Sequence, residues 1–218
     1  RHTRFKCDWS SDVCSSDLRL RANEILRRFE GIGPKVVGAE VGVAVGQTSE
    51  CLLLNSKISL YMVDSWAGEE DQTESYRNSG DGHAHYSKGE QDAHMREALA
   101  VTDFASARRT VIRAPSVSAA RTLPDASLDF VFIDAGHDYE SVRDDIQAWL
   151  PKVKPGGWLS GHDYGHFPTG ATWEIGVKQA VDEFVTKSGL RLELGANYTW
   201  FIKLPQTTNT SISTNTEV

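Results

Sequence analysis

Between Lys35 and Gly46 the chain reads Lys-Val-Val-Gly-Ala-Glu-Val-Gly-Val-Ala-Val-Gly, and no other stretch restricts the fold so tightly. Small and β-branched residues lead into Gly42 and Gly46, which predicts a short buried strand, a loop whose backbone can approach a ligand closely, and a helix over Ser49 to Leu54. Strand, glycine turn and helix start make a nucleotide-type pocket. Glu40 falls at the carboxyl end of the strand, where open parallel sheets place their ligands. A carboxylate there repels phosphate and suits an ammonium or hydroxyl group.

The spacing separates two ligand classes. A dinucleotide fingerprint needs Gly-x-Gly-x-x-Gly so that a pyrophosphate can rest on the helix N-terminus. Here the pattern is Glu-x-Gly-x-x-x-Gly, with Val43, Ala44 and Val45 between the glycines. Glu40, Gly42 and Gly46 resemble motif I of the class I S-adenosylmethionine-dependent methyltransferases. That resemblance implies S-adenosyl-L-methionine as cofactor, with Val43 beside the glycines in its site.

The 218 residues suit one domain, and 39% apolar with 24% charged residues is ordinary for a soluble, cytoplasmic protein. No apolar run approaches a membrane span. A net charge of −7 without clustered Lys and Arg excludes a nucleic-acid surface. A small-molecule partner follows as the default, with homo-oligomerisation left open. Asp8 to Leu18 matches, residue for residue, the translation of a short-read sequencing adapter. Residues 1–18 are therefore set apart from the fold, as a fusion scar would be. Cys7 and Cys14 go with them, and Cys51 in its apolar run reads as a buried small hydrophobe.

From Arg19 to Glu30 the spacing predicts an amphipathic helix covering an edge of the sheet, closed by Gly31-Ile32-Gly33-Pro34. Ile58 to Val63 is a second strand ending at Asp64, placed to take ribose hydroxyls, with Ser65 next to it. Residues 67–89 lack periodicity and are long for a plain connection, which predicts a lid over the ligand. His83 and His85 within it are candidate metal ligands or bases, although solvated histidines fit as well. Glu90 to Ala107 reads as helix with Met95, Leu99 and Phe104 inward. Thr110 to Arg113 is a third strand, and the methyltransferase resemblance puts Ser116, after it, near the adenine.

Leu128 to Ile133 is an almost continuous apolar strand of the kind buried on both faces of a parallel sheet, and it delivers Asp134 to the ligand edge. A helix capped by Asp138 follows, with Tyr139, Val142, Ile146, Trp149 and Leu150 on one stripe and Asp144 and Asp145 on the wet side. After the turn Lys154-Pro155-Gly156-Gly157, a strand over Trp158 to Gly161 brings His162 and Asp163 beside Asp134. Strand-end carboxylates facing one crevice suit Mg²⁺, which would orient a substrate hydroxyl for His137 to deprotonate. Asp134-x-x-His137 with His162-Asp163-Tyr164 resembles the constellation of metal-dependent sugar and macrolide O-methyltransferases. The resemblance implies Asp134, Asp163 and His137 as catalytic residues, Asp134, Asp163 and His162 as metal ligands, and Asp134 also as part of the cofactor site. Those enzymes commonly carry two acidic residues where this chain has His162-Asp163, so either His162 replaces an acidic ligand or no metal is used.

Trp173 to Lys187 reads as an amphipathic helix, then Leu190 to Leu194 and Tyr198 to Leu204 as a hairpin. The expected fold is α/β: a doubly wound, Rossmann-like seven-stranded sheet with an antiparallel C-terminal hairpin, over residues 19–204. Residues 205–218, mostly polar, form a disordered tail. O-methylation of a small or sugar-like acceptor is the expected activity. A non-catalytic cofactor- or partner-binding domain and a nicotinamide-dependent oxidoreductase are the alternatives, the latter disfavoured by the missing third glycine and by the terminal hairpin.

Overall fold

The computed structural model describes residues 13–29, 35–165 and 176–206, with side chains from residue 19 onward. Seven strands form one sheet in the order β3-β2-β1-β4-β5-β7-β6. They are β1 (Val37–Val41), β2 (Ser59–Asp64), β3 (Arg109–Arg113), β4 (Leu128–Ile133), β5 (Val153–Gly161), β6 (Leu192–Leu194) and β7 (Trp200–Lys203). The first five pair in parallel, while β7 lies antiparallel between β5 and β6. This is the doubly wound sheet with a terminal hairpin expected from the sequence. Because β1 leads to β2 on one side and has β4 on the other, a crevice opens at the carboxyl ends of β1 and β4.

Side-chain alternation divides the core in two. Phe130 and Phe132 of β4 point to one face, Val131 and Ile133 to the other, and all are buried, which is why the strand is apolar throughout. The first face carries α1 (Val13–Leu26), α2 (Gln47–Leu54) and α4 (Lys88–Val101); the second carries α5 (Ser116–Ala120), α6 (Tyr139–Trp149) and α7 (Val177–Ser188). Helix α4 starts at a capping box between Ser87 and Glu90.

Several local expectations are corrected. The first helix begins at Val13, inside the segment set apart as foreign, and ends at Leu26 before a single 3₁₀ turn to Phe29. It covers the middle of a sheet face instead of an edge: the rings of Phe29 and Phe130 lie 5.0 Å apart. Lys154 to Gly157 is not a turn before β5 but its first half, accommodated by a shift in register against β4 and by Gly156 at φ 77°. Phe104 is exposed, because the chain leaves α4 at Val101 and turns through a 3₁₀ segment. Cys51 is half-buried. Gly31 to Pro34, the loop from His166, the first residues predicted for α7 and most of the C-terminal tail lie outside the described residues.

Residues 67–89 are more ordered than their composition predicts. They contain 3₁₀ turns at Glu69–Asp71 and Gly82–His85 and a short helix, α3 (Glu74–Asn78), capped by Thr73. Ser75 Oγ donates to Glu140 Oε2 at 2.6 Å, which docks this segment on the start of α6. No helix among the described residues is long and apolar enough to cross a membrane.

Candidate active site

The glycine loop is shaped by its protein neighbours. The Gly42 N–H donates to the Val63 carbonyl at 2.8 Å, and Gly42 stands at φ 91°. A Cβ at this position would lie 2.0 Å from the Asp134 carbonyl oxygen, so only glycine lets β1 and β4 end side by side. Gly46 at φ 82° lets α2 start against Ala98 of α4, where a Cβ would come within 2.8 Å of backbone. Asp64 closes the loop: its Oδ2 accepts the N–H groups of Val43 at 2.9 Å and Ala44 at 2.8 Å, and its Oδ1 accepts that of Trp66 at 2.8 Å. Trp66, fully buried, donates its indole N–H to the Ala44 carbonyl at 2.9 Å. Ser65 is half-buried, with its carbonyl facing the Arg113 guanidinium.

Glu40 is buried under this loop and accepts a hydrogen bond from the Ser49 hydroxyl. Burial, with Asp134 and Asp64 adding negative charge, pushes its carboxyl up to about 8 despite that hydrogen bond, so it holds a proton at neutral pH. Ser116, expected near the adenine, opens α5 just after β3. Its Oγ accepts from the Trp149 indole at 2.9 Å and is bonded to Asp145, in the seam between α5 and α6. Asp145 is itself buried, contrary to its assignment to the wet face, and burial raises its carboxyl to about 7.

At the ends of β4 and β5, Asp134, His137, His162 and Asp163 converge as their spacing predicted. His137 Nε2 lies 3.1 Å from Asp163 Oδ2 and 3.8 Å from Asp134 Oδ1, and His162 Nδ1 lies 3.1 Å from Asp163 Oδ1. Asp163 sits at φ 60°, a strained backbone for a non-glycine residue of the kind found at functional sites. One donor atom from each of Asp134, His162 and Asp163 falls within 4.8 Å of the others.

Two participants were not foreseen. Arg21 of α1 reaches into the cluster: its Nη1 is 2.5 Å from Asp134 Oδ2 and its Nη2 is 2.9 Å from His162 Nε2. Asp81, only 3% exposed, enters from the 67–89 segment and lies 2.7 Å from His137 Nδ1. The imidazole is thereby held at both nitrogens, Asp81 on one side and Asp163 on the other. Burial disfavours its charge, but Asp134, Asp163 and Asp81 outweigh that and raise its pKa well above the ordinary value. Asp163, flanked by His137 and His162, is held well below the usual carboxylate range against the pull of burial. Asp134 resists its own burial in the same direction, chiefly through Arg21. His85, by contrast, turns away to Glu69 at 2.9 Å.

The sequence profile of a methyltransferase domain matches residues 37–164, from the first residue of β1 to just past β5. The chain belongs to this methyltransferase family. The matched span, more than half the chain, contains Glu40, Gly42, Asp64, Asp81 and the Asp134–Asp163 cluster, and the enzyme is an S-adenosylmethionine-dependent methyltransferase of class I. Solved structures share the fold of this methyltransferase at low identity. The O-methyltransferase NovP superposes with a TM-score of 0.58 at 20% identity, covering 88% of this chain and 80% of its own. A protein from Corynebacterium glutamicum gives 0.60 at 14% identity over 92% and 93%. The MycE methyltransferase of the mycinamycin pathway, solved with Mg and SAH, gives 0.53 at 15% identity over 94% and 58%. No curated protein sequence matches the methyltransferase.

Proposed function

We propose that this methyltransferase moves the methyl group of S-adenosylmethionine to a hydroxyl of a small, sugar-like acceptor, within a domain of residues 19–204 covered by 67–89. One observation carries the reading: a histidine held between two carboxylates stands at the strand ends next to the glycine loop. In the cofactor's place we put Glu40, Gly42, Val43, Gly46, Asp64, Ser65, Ser116 and Asp134. The name of the O-methyltransferase NovP favours a hydroxyl acceptor, but it describes that protein.

Asp81 fixes Nδ1 of His137, so Nε2 is the nitrogen that faces the acceptor. An acceptor oxygen entering between Nε2 and Asp163 gives its proton to Nε2. Its lone pair takes the methyl carbon as the C–S bond breaks, and the sulfonium leaves as a neutral thioether. The proton then passes from His137 to solvent. The donor set of two carboxylates and one imidazole fits a divalent cation in number and spacing. Asp134, His162 and Asp163 would hold it, and it would supply Lewis acidity to the acceptor oxygen. In the structure the Arg21 guanidinium already neutralises Asp134.

His137→Ala is expected to keep cofactor affinity and lose about 10²- to 10⁴-fold in turnover, measured with labelled S-adenosylmethionine and a panel of hydroxylated small molecules. Because the neutral imidazole is the base and its pKa is raised, wild-type kcat should climb as pH rises through a value above the ordinary histidine range. Unchanged turnover in His137→Ala would remove the base assignment.

A further inference from the structure

The segment that covers the site brings more than Asp81. His83, two residues on, turns back so that its Nδ1 lies 3.1 Å from Asp81 Oδ1, while His137 Nδ1 lies 2.7 Å from Oδ2 of the same carboxylate. The 3₁₀ turn at Gly82–His85 sets this geometry, since Asp81 caps it by accepting the His83 N–H at 2.9 Å. Two imidazole nitrogens from different parts of the chain thus flank one buried carboxylate. One donor atom from each of Asp81, His83 and His137 falls within 4.8 Å of the other two.

We propose that Asp81, His83 and His137 form a second metal site, distinct from the strand-end cluster, that takes a zinc-class divalent cation and clamps the 67–89 segment to the core. The donor chemistry selects the cation. Two imidazoles and one carboxylate are the ligand set of Zn²⁺, Co²⁺ or Ni²⁺, whereas Mg²⁺ requires oxygen and keeps its waters. Donors about 2.0 to 2.2 Å from a tetrahedral ion stand closer together than 4.8 Å. The His83 side chain is 63% exposed, and its Nδ1 already stands 3.1 Å from Asp81 Oδ1. Its exposed edge also gives the ion a way in and leaves a fourth position for water.

The shell behind the ligands is in place. The Tyr76 hydroxyl donates to Asp81 Oδ2 at 3.0 Å and orients the carboxylate, as outer-shell partners of metal ligands do. On His137 the ligand atom is Nδ1, so the loaded imidazole keeps its proton on Nε2, where it faces Asp163 and cannot take another; the loaded site belongs to a closed resting state, and His137 acts as base when the site is empty. A cation here replaces the two N–H···O hydrogen bonds with coordinate bonds from the same nitrogen and oxygen atoms to the ion, each imidazole keeping one proton on its other nitrogen or releasing the extra one to solvent, so the cover stays docked where the structure shows it. The site does not depend on the identity of the methyl acceptor.

The test is a Co²⁺ titration of the full chain followed by visible absorption, comparing wild type with His83→Ala and Asp134→Asn. Segments outside the described residues contribute equally to all three proteins. Wild type should take up a His83-dependent equivalent in addition to any ion held by Asp134, His162 and Asp163; His83→Ala should bind that equivalent at least about tenfold more weakly, and Asp134→Asn should keep it. His83→Ala should still bind S-adenosylhomocysteine, which keeps this site separate from the cofactor assignment. Equal Co²⁺ affinity in wild type and His83→Ala, loss in Asp134→Asn instead, or no stoichiometric uptake by wild type would each overturn the proposal.

Discussion

Gly42→Ala is expected to destabilise the fold by about 3 kcal/mol or more and to abolish S-adenosylhomocysteine binding. Two effects add. At φ 91° an alanine is strained, which costs roughly 1–2 kcal/mol. Its Cβ would also lie 2.0 Å from the Asp134 carbonyl oxygen, 2.4 Å from the carbonyl carbon and 2.7 Å from the Ala135 Cα. These are backbone atoms, so no side chain can rotate out of the way, and β1 and β4 must move apart. That displacement opens the loop that Asp64 holds shut. Thermal unfolding and calorimetric titration measure the two consequences. Gly82→Ala is the control: a Cβ there meets nothing within 4 Å, so its stability should stay within about 0.5 kcal/mol of wild type.

Arg21→Ala should lower stability by about 3–5 kcal/mol, the effect of breaking one side of a buried ion pair, which is a fall of about 10 °C in Tm for a domain of this size. The Arg21 and Asp134 side chains are 13% and 16% exposed and 2.5 Å apart, so little water can take over the lost charge. The damage spreads because Asp134 is surrounded by Asp163, Glu40 and their partners. Millimolar Mg²⁺ should restore part of the Tm in Arg21→Ala and have less effect on wild type, since a cation can then stand where the guanidinium stood. A variant as stable as wild type, or one indifferent to Mg²⁺, would show that Arg21 is not the counter-charge of this cluster.

The parts of this architecture that were legible in the sequence are those with local causes. Phe130 and Phe132 alternate with Val131 and Ile133, and such a run bounded by turns has few readings other than a central parallel strand. Gly42 and Gly46 mark positive φ directly. Asp134, His137 and Asp163 were placed together correctly because they lie in the short stretches just after β4 and β5, neighbouring parallel strands whose pairing follows from the chain order. What escaped notice has tertiary causes. Arg21 belongs to an arginine-rich helix on which a buried arginine looks like its solvated neighbours, and nothing local says that it faces Asp134. Asp145 follows Asp144 on a helix whose dry stripe is broad enough to take in one carboxyl, once Ser116 provides a partner. The 67–89 segment is polar enough to look irregular, yet Asp81 goes inside because His137 and His83 lie beside it. Ser116 was assigned by resemblance alone, and the Trp149 indole that engages it lies 33 residues away.

The proposed cofactor pocket lies at the ends of β1 and β2, with Glu40, Gly42 and Asp64 in it. Calorimetric titration of the folded full chain with S-adenosylhomocysteine, once with Mg²⁺ and once with a chelator, tests it most directly. Binding of one molecule per chain with the same affinity in both conditions is the predicted result. Absence of binding in a sample that circular dichroism shows to be folded would contradict it.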